Sequence, residues 1–266
     1  MAWVDPYESK TTDELFELLF AGEYEDSQDD WREEGASAAL RVLRCRPTQK
    51  VFDQAASYLH SDVALQRARA MDILAQLGQG GTRPFDARTT ELAVACLQDP
   101  DLSVVESAAY ALGVFSKLGA HPALLSLSDH PSASIRLAVA RGIGDLPEST
   151  PILLQLMEDP SDEVRNWATF TLGSRPEVDS LEIREALRRR LHDSFKDVHD
   201  EALWGLALRR DAQGLGLLLT RLEADHHLAG DEMTACEILD LRSVEPELGQ
   251  LCHGLRALLQ FNRRGL

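Results

Sequence analysis

A turn-and-helix motif recurs four times along the chain and constrains the fold more than any other feature. The best-formed copy is Asp159–Gly173, where an Asp-Pro turn precedes Ser161 and Asp162 as candidate helix caps. Spacings of four mark one helical face, at Val164, Ala168 and Leu172. Gly173 is predicted to end the helix, because glycine tolerates the left-handed conformation that closes many helices.

The other copies keep the same offsets. The acidic residues that open the turns are Asp99, Asp129, Asp159 and Asp193. The first apolar residues of the following helices are Val104, Ile135, Val164 and Val198. Second helices are predicted between the copies, at 121–128, 150–158, 180–192 and 213–223. A helix pair of this size cannot bury its apolar face alone, so neighbours must stack. The sequence therefore predicts an all-α fold, an α-solenoid built as a superhelical array of antiparallel helix pairs.

The repeats are predicted to occupy 47–228, with earlier helices at 49–60, 62–78 and 88–98. Residues 1–46 are expected to form an acidic N-terminal helical cap, with helices at 8–20 and 31–45. Thr11 and Glu14 form a candidate capping box there. Residues 229–266 are expected to form a C-terminal capping helix pair, since terminal repeats are usually atypical.

The pattern D-P-x-x-x-V-R-x-x-A-x-x-x-L-G resembles HEAT repeats, specifically the short type first noted in phycobilin lyases. The resemblance covers about 62–224, and it implies a helical-repeat fold without fixing a function. The arginine of that pattern is present as Arg136 and Arg165, whereas Val105 and His199 replace it in the other copies. The resemblance implies a structural role for these arginines, bonding the acidic groups of the preceding turn.

Charge points to a protein partner. The chain has 44 acidic and 27 basic residues, a formal net charge of −17, and residues 1–34 alone carry −10. Nucleic acid would be repelled, whereas a basic protein partner would be attracted. No secretory signal and no apolar run of membrane-spanning length occurs, so we expect a cytoplasmic protein without membrane contact; its oligomeric state stays open. One acidic run is either a solvated face or an electrostatic clamp: Glu23, Glu25, Asp26, Asp29 and Asp30.

No motif supports catalysis, a metal or a cofactor. The chain lacks a phosphate-binding loop, a dinucleotide fingerprint and a nucleophile elbow. The hydroxylase branch of HEAT proteins binds two irons through His-Glu pairs, and no such dipeptide occurs here. We interpret His192-Asp193 and His199-Asp200 as turn and helix-surface residues. The sequence thus indicates a protein that is not an enzyme and carries no cofactor.

Large and polar residues recur two, three and six positions after each first apolar residue, which places them on one helical surface. Stacking would align them into a ridge, and its candidate partner-binding residues are Glu106, Tyr110, Arg141, Asn166, Trp167, Phe170, Asp200 and Trp204. Two interpretations compete for this ridge. The aromatic residues either pack against adjacent helices, or they form a binding surface, where Trp, Tyr and Arg are common.

These features favour a non-catalytic binding protein, most specifically a bacterial immunity protein that occludes a basic toxin. One alternative is a scaffold or regulatory adaptor that joins two components. A third follows from the resemblance alone, and it is delivery of a tetrapyrrole, as phycobilin lyases do.

Overall fold

The computed structural model describes residues 6–21, 35–115, 122–144, 146 and 148–224. The acidic run near the N-terminus and the predicted C-terminal helix pair lie outside these residues, as do Asp225-His226-His227 and Cys252-His253. The chain divides into two compact units, 1–146 and 147–266. The three-part division drawn from the sequence therefore stays a prediction.

Unit 1 consists of α1 (Thr12–Ala21), α2 (Gly35–Arg44), α3 (Gln49–Tyr58), α4 (Ala64–Gln76), α5 (Asp86–Cys96), α6 (Leu102–Tyr110) and α7 (Ala133–Gly142). A π-helical turn, Ala111–Phe115, continues α6. The helix predicted at 121–128 is instead a 3₁₀ helix, Pro122–Leu127. Helix α4 packs against α6, and α6 packs against α7, so the inner helices of successive repeats lie side by side.

Unit 2 consists of α8 (Ser149–Leu156), α9 (Asp162–Gly173), α10 (Leu181–Arg190), α11 (Lys196–Leu208) and α12 (Ala212–Ala224). Here α9 and α11 are the inner helices, and they pack closely against each other. The described part of the chain contains no strand. In each unit the repeat positions predicted to face inward are buried, from Val104 and Ala108 in α6 to Val198 and Ala202 in α11.

The starts of α1 and α9 differ in whether a side chain caps the helix. The capping box before α1 is confirmed, because the Thr11 N–H donates to Glu14 Oε2 at 2.7 Å and the Glu14 N–H donates to Thr11 Oγ1 at 3.3 Å. The side-chain cap expected at Ser161 or Asp162 is wrong. Ser161 caps no helical N–H; instead its own N–H donates to Asp159 Oδ1 at 2.9 Å.

That turn recurs through the chain. The carboxylates of Asp99, Asp159 and Asp193 each accept the backbone N–H two residues ahead, at 2.9–3.0 Å. The second copy departs from the sequence prediction, because Asp129 is exposed and His130 Nδ1 accepts from the Ser132 N–H at 3.1 Å. His130 lies five residues before the first apolar residue, as the three aspartates do, so the register predicted for that turn was wrong by one position.

The repeat arginines bind forward as well as backward. Arg165 Nη1 donates to the carbonyl oxygen of Asp159 in the preceding turn, at 2.8 Å, while Nε and Nη2 grip the Asp193 carboxylate of the following turn at 2.9 and 3.0 Å. Arg67 holds Asp99 in the same bidentate way, with both distances 2.8 Å. Arg165 Nη2 also pairs with Asp162 Oδ1 at 2.5 Å, so the expected bond to an acid where the preceding turn meets its own helix is present. The aspartate of the next turn is a further partner, and bidentate pairing fixes its position.

Glycines set the closest approach of the inner helices. A Cβ added at Gly142 would lie 2.3 Å from Gly113 Cα, and one added at Gly205 would lie 2.8 Å from Gly173 Cα. Gly173 is the last residue of α9 and has no positive φ, so its predicted left-handed role is wrong. Its missing Cβ instead lets α11 approach.

Arg209 closes the end of α9. Its side chain is fully buried and donates only to backbone carbonyl oxygens, those of Leu172, Gly173, Arg175, Val178 and Gly205, at 2.7–3.0 Å. Helix ends leave carbonyl groups without intrahelical partners, and this guanidinium satisfies them. One cation from α11 thus does what a left-handed glycine does elsewhere.

Candidate partner-binding groove

An open cavity of about 280 Å³ lies on the inner helices of unit 1. Its lining comes from α4, α6 and α7, and consists of Asp72, Glu106, Ser107, Tyr110, Ser134, Leu137, Ala138 and Arg141. We call this cavity the groove. Three residues singled out from the sequence, Glu106, Tyr110 and Arg141, therefore meet around one space, although they belong to two successive repeats.

Small residues contribute to the lining of the groove. Ser107 on α6 and Ala138 on α7 both border it, and Gly113, in the π-helical turn after α6, lies close to the backbone of Ala138. Glu106 is held in place, because its Oε1 accepts a hydrogen bond from Ser132 Oγ at 2.6 Å. Glu106, Tyr110 and Arg141 are all half-buried, so each offers a polar atom to the cavity from a supported position.

Asp72 was missed by the sequence analysis. It lies on α4, five residues after Arg67, as Arg141 lies five residues after Arg136. The signal in the sequence was Arg67, which marks the repeat register one copy earlier. In the structure it pairs with a turn aspartate as Arg165 does. Extending the repeat register one copy earlier would have added a second carboxylate to the site.

The remaining predicted residues lie on α9 and α11 of unit 2. Trp167 and Phe170 form an edge-to-face pair, with ring centroids 5.4 Å apart and an interplanar angle of 82°. Phe170 is 41% exposed, which a core residue would not be, whereas Trp167 and Trp204 are half-buried. Asn166 Oδ1 is buried and accepts no hydrogen bond from the described residues.

Asp200 is a neutralised carboxylate rather than a free one. It is 8% exposed and bonds to Lys196 Nζ, to His199 Nδ1 at 3.1 Å and to Arg221 Nη1 at 2.6 Å. Burial alone would raise the pKa of Asp200, but these hydrogen bonds outweigh burial and hold the pKa below its usual value. Asp200 therefore organises α11 and α12 and contributes little net negative charge to the surface.

Two negative findings apply to the described residues. No cluster of three or more His, Cys, Asp or Glu side chains is placed to hold a metal ion, and Asp193 of the His192-Asp193 pair is engaged by Arg165. In the same parts of the chain, no helix has both the length and the apolar character needed to cross a membrane.

Comparison with known proteins places these repeats in a family. The family model for HEAT repeats matches residues 121–183 and 150–235. Among curated protein sequences, no significant match to this chain was found.

Solved structures agree on the fold. The Escherichia coli protein YibA is 22% identical, with 95% of this chain and 93% of that chain covered and a TM-score of 0.64. The complex of CpcE and CpcF of phycocyanin lyase from a Nostoc species is 18% identical over 97% and 98% of the two chains, with a TM-score of 0.51. At these identities the likenesses concern the fold alone.

The fold class is thus an all-α repeat solenoid, a class typical of non-catalytic scaffolds that bind peptides or proteins. The recurring Asp turns, the arginine pairs and the close glycine contacts all follow its repeat. Together with the family match, they identify HEAT repeats over residues 121–235 of the chain.

Proposed function

We propose that this chain is a non-catalytic inhibitor that binds a basic protein and occludes its working surface, as an immunity protein does for a toxin. The observation that carries the proposal is the groove, where Asp72, Glu106, Tyr110 and Arg141 converge from three inner helices. Side chains of these types dominate binding hot spots or confer charge selectivity. A rigid repeat scaffold holds them open to a partner without rearrangement.

Charge supports a basic partner. The formal net charge of −17 produces a field that attracts cationic proteins over distances of about 10 Å at ordinary salt, which speeds encounter. Within the groove, Asp72 and Glu106 supply negative charge, while Tyr110 offers a ring face and a hydroxyl group. A cationic nuclease-type toxin domain in the cytoplasm fits this combination.

The decisive experiment measures binding of the purified chain to the basic toxin domain encoded beside its gene, by titration calorimetry at 50 and 500 mM NaCl. We expect the affinity to fall at least about tenfold at the higher salt, because screening shortens the reach of charge. The double variant Asp72→Asn with Glu106→Gln should weaken binding by a further tenfold or so.

Glu91→Gln with Glu163→Gln is the matched control. Glu91 is exposed on α5, outside the groove, and combining its substitution with Glu163→Gln at an exposed site on α9 removes two negative charges, as the groove variant does. This double control should leave affinity nearly unchanged. Binding that is insensitive to salt and to the groove variant would refute the proposal, and capture of an acidic or neutral partner would favour the adaptor function instead.

Tetrapyrrole delivery is a second candidate, because the structure resembles the CpcE–CpcF complex of phycocyanin lyase. An absorbance scan of the chain purified from its native host tests this alternative. A bound chromophore absorbing in the visible range would displace the inhibitor proposal.

A further inference from the structure

Unit 2 repeats the geometry of the groove with different residues. A Cβ added at Gly113 would lie 2.4 Å from the carbonyl oxygen of Ala138, and one added at Gly173 would lie 3.3 Å from that of Glu201. The two helix crossings are therefore equivalent, and Glu201 takes the place that Ala138 has in the groove. At the position where Ala138 lines the groove of unit 1, unit 2 has the carboxyl-bearing residue Glu201.

The side of this site that α9 contributes is aromatic. Trp167 is the repeat equivalent of Ser107, and Phe170 is the equivalent of Tyr110. Ser107, Tyr110 and Ala138 line one space in unit 1, so the repeat places their equivalents Trp167, Phe170 and Glu201 around the corresponding surface of unit 2, where Gly173 lies against the backbone of Glu201. The face of Phe170 is available, because that residue is 41% exposed.

The Glu201 carboxyl is half-buried, and no hydrogen bond or ion pair reaches it from the described residues. Burial, reinforced by the charges of Asp200 and Asp197, raises its pKa to about 7. It differs in this from its neighbour Asp200, which three nitrogen-bearing side chains neutralise. A half-buried carboxyl beside aromatic rings is a site that a cation would complete.

We infer that Glu201, Trp167 and Phe170 form a subsite for a lysine or arginine side chain of the partner. This inference rests on the proposed function, since it names the chemical group that a basic partner would insert in unit 2. The cation would lie against the aromatic rings and pair with the Glu201 carboxylate. Pairing requires that carboxyl to be ionised, so binding releases a proton at neutral pH.

Most other charged groups near this site have assigned partners or lie apart from it, and Asp197 acts on Glu201 through its charge. On α11 and α12 they are Lys196, Asp197, His199, Asp200 and Arg221. On α9 they are confined to the first turn, at Asp162, Glu163 and Arg165, and Arg165 is committed to Asp193. On α10, Arg188 pairs with Asp211 and Arg190 pairs with Glu158. His199 contacts Asp200, the neighbour of Glu201, and therefore needs its own control variant.

The test titrates an amidated octa-arginine peptide into the full chain by calorimetry, at pH 6 and pH 8, in pairs of buffers with different ionisation enthalpies. We expect binding to be up to about tenfold tighter at pH 8, because a carboxyl with a pKa near 7 is mostly protonated at pH 6. At pH 7 the buffer dependence should report release of up to about half a proton per peptide.

Glu201→Gln should abolish that proton release and flatten the pH dependence, while His199→Gln should leave both largely in place. Phe170→Leu should weaken binding equally at both pH values, since it removes only the ring. The glutamine variant is nearly isosteric, and unchanged circular dichroism would show that it folds.

Two negative results separate the hypotheses. Equal proton release from Glu201→Gln and the unmodified chain would refute the subsite and leave the groove proposal standing. Failure of octa-arginine to bind the unmodified chain at low salt would contradict the basic-partner function itself.

Discussion

The two units share one helix-crossing geometry but carry different side chains at it. In unit 1, Ser107 and Ala138 are small, and a groove of about 280 Å³ remains between α6 and α7. In unit 2 the equivalent positions hold Trp167 and Glu201, and aromatic and acidic side chains occupy that place on α9 and α11. The repeat thus fixes where a surface lies. The side chains at two positions of each crossing then decide whether that surface is an open cavity or carries aromatic and acidic groups.

The largest effect should come from the glycine contacts, which differ in tightness between the units. In Gly142→Ala the new Cβ would meet Gly113 Cα at 2.3 Å, and backbone cannot yield as a flexible side chain does. We expect a loss of about 3 kcal/mol of unfolding free energy, the upper end for overpacking. Urea denaturation measures it.

Gly173→Ala tests the corresponding crossing in unit 2 from its other helix, since Gly173 is the repeat equivalent of Gly113, and there the nearest atom lies at 3.3 Å. The strain from the added Cβ should be offset by the better helix propensity of alanine. The unfolding free energy should therefore change by no more than about 1 kcal/mol. Gly216→Ala, with nothing within 4 Å, is the control and should stabilise slightly. Equal losses for Gly142→Ala and Gly173→Ala would show that the two crossings are not distinguished by packing.

The buried ion pair of unit 2 gives the next largest effect. Asp193 is 4% exposed, and burial raises its pKa, but the hydrogen bonds from Arg165 and the Phe195 N–H outweigh burial and hold the pKa below its usual value. Asp193→Asn keeps the acceptor for the Phe195 N–H and removes the charge, so it should cost about 2 kcal/mol at pH 7.

The sign of the pH dependence follows from the lowered pKa. The contribution of Asp193 is present above the unfolded pKa of about 3.9 and is lost as pH falls through the lower folded value. Denaturation curves of Asp193→Asn and the unmodified chain should therefore converge in strong acid. Asp99→Asn makes the same comparison in unit 1, and a difference that does not shrink as the pH falls below about 3.9 would exclude a charge effect.

Filling the groove should convert unit 1 toward the arrangement of unit 2. Ser107→Trp places the residue of α9 at the equivalent position of α6 and should reduce affinity for the basic partner about tenfold, or roughly 1.4 kcal/mol. Because the groove is open, stability should change by less than about 1 kcal/mol. Leu102→Trp, at an exposed site of the same helix, is the control. Unchanged binding by Ser107→Trp would separate the groove from function.

The smallest effect concerns Glu201. Its folded pKa of about 7 exceeds the ordinary value, so the unmodified chain loses stability as pH rises from about 4.3 through 7. Glu201→Gln removes that loss. Because the carboxyl is only half-buried, solvent screening limits the gain to about 1 kcal/mol at pH 8, with none at pH 4. Thermal melts at both pH values measure the gain, and a gain that is equal at both would contradict the assigned ionisation.

The repeat pattern predicted the helices well because buried residues at fixed offsets leave few alternatives to stacked helices. It failed at turns. Asp129 was favoured over His130 because acidic residues open the other copies, whereas the offset of five to the first apolar residue decides which side chain accepts the N–H. Gly173 does end α9, but its left-handed conformation was predicted wrongly, because the close contact with α11 that requires a glycine leaves no local signal in the sequence.

The candidate site was predictable in position but not in character. The periodicity placed Glu106, Tyr110 and Arg141 on one face, and it would have added Asp72 had the register been extended to Arg67. It could not separate an open space from a filled one, since that depends on pairs of residues from different helices. The exposure of Phe170 likewise depends on what α11 leaves uncovered.

Arg209 has a consequence for how unit 2 comes apart. Because its single guanidinium holds carbonyl oxygens from the end of α9, from the following turn and from α11 itself, none of these segments can fray without leaving hydrogen-bond donors of a buried cation unsatisfied. Two neighbouring hairpins are thereby made into one cooperative block. The backbone amide protons of both hairpins should therefore exchange with solvent through one shared opening event.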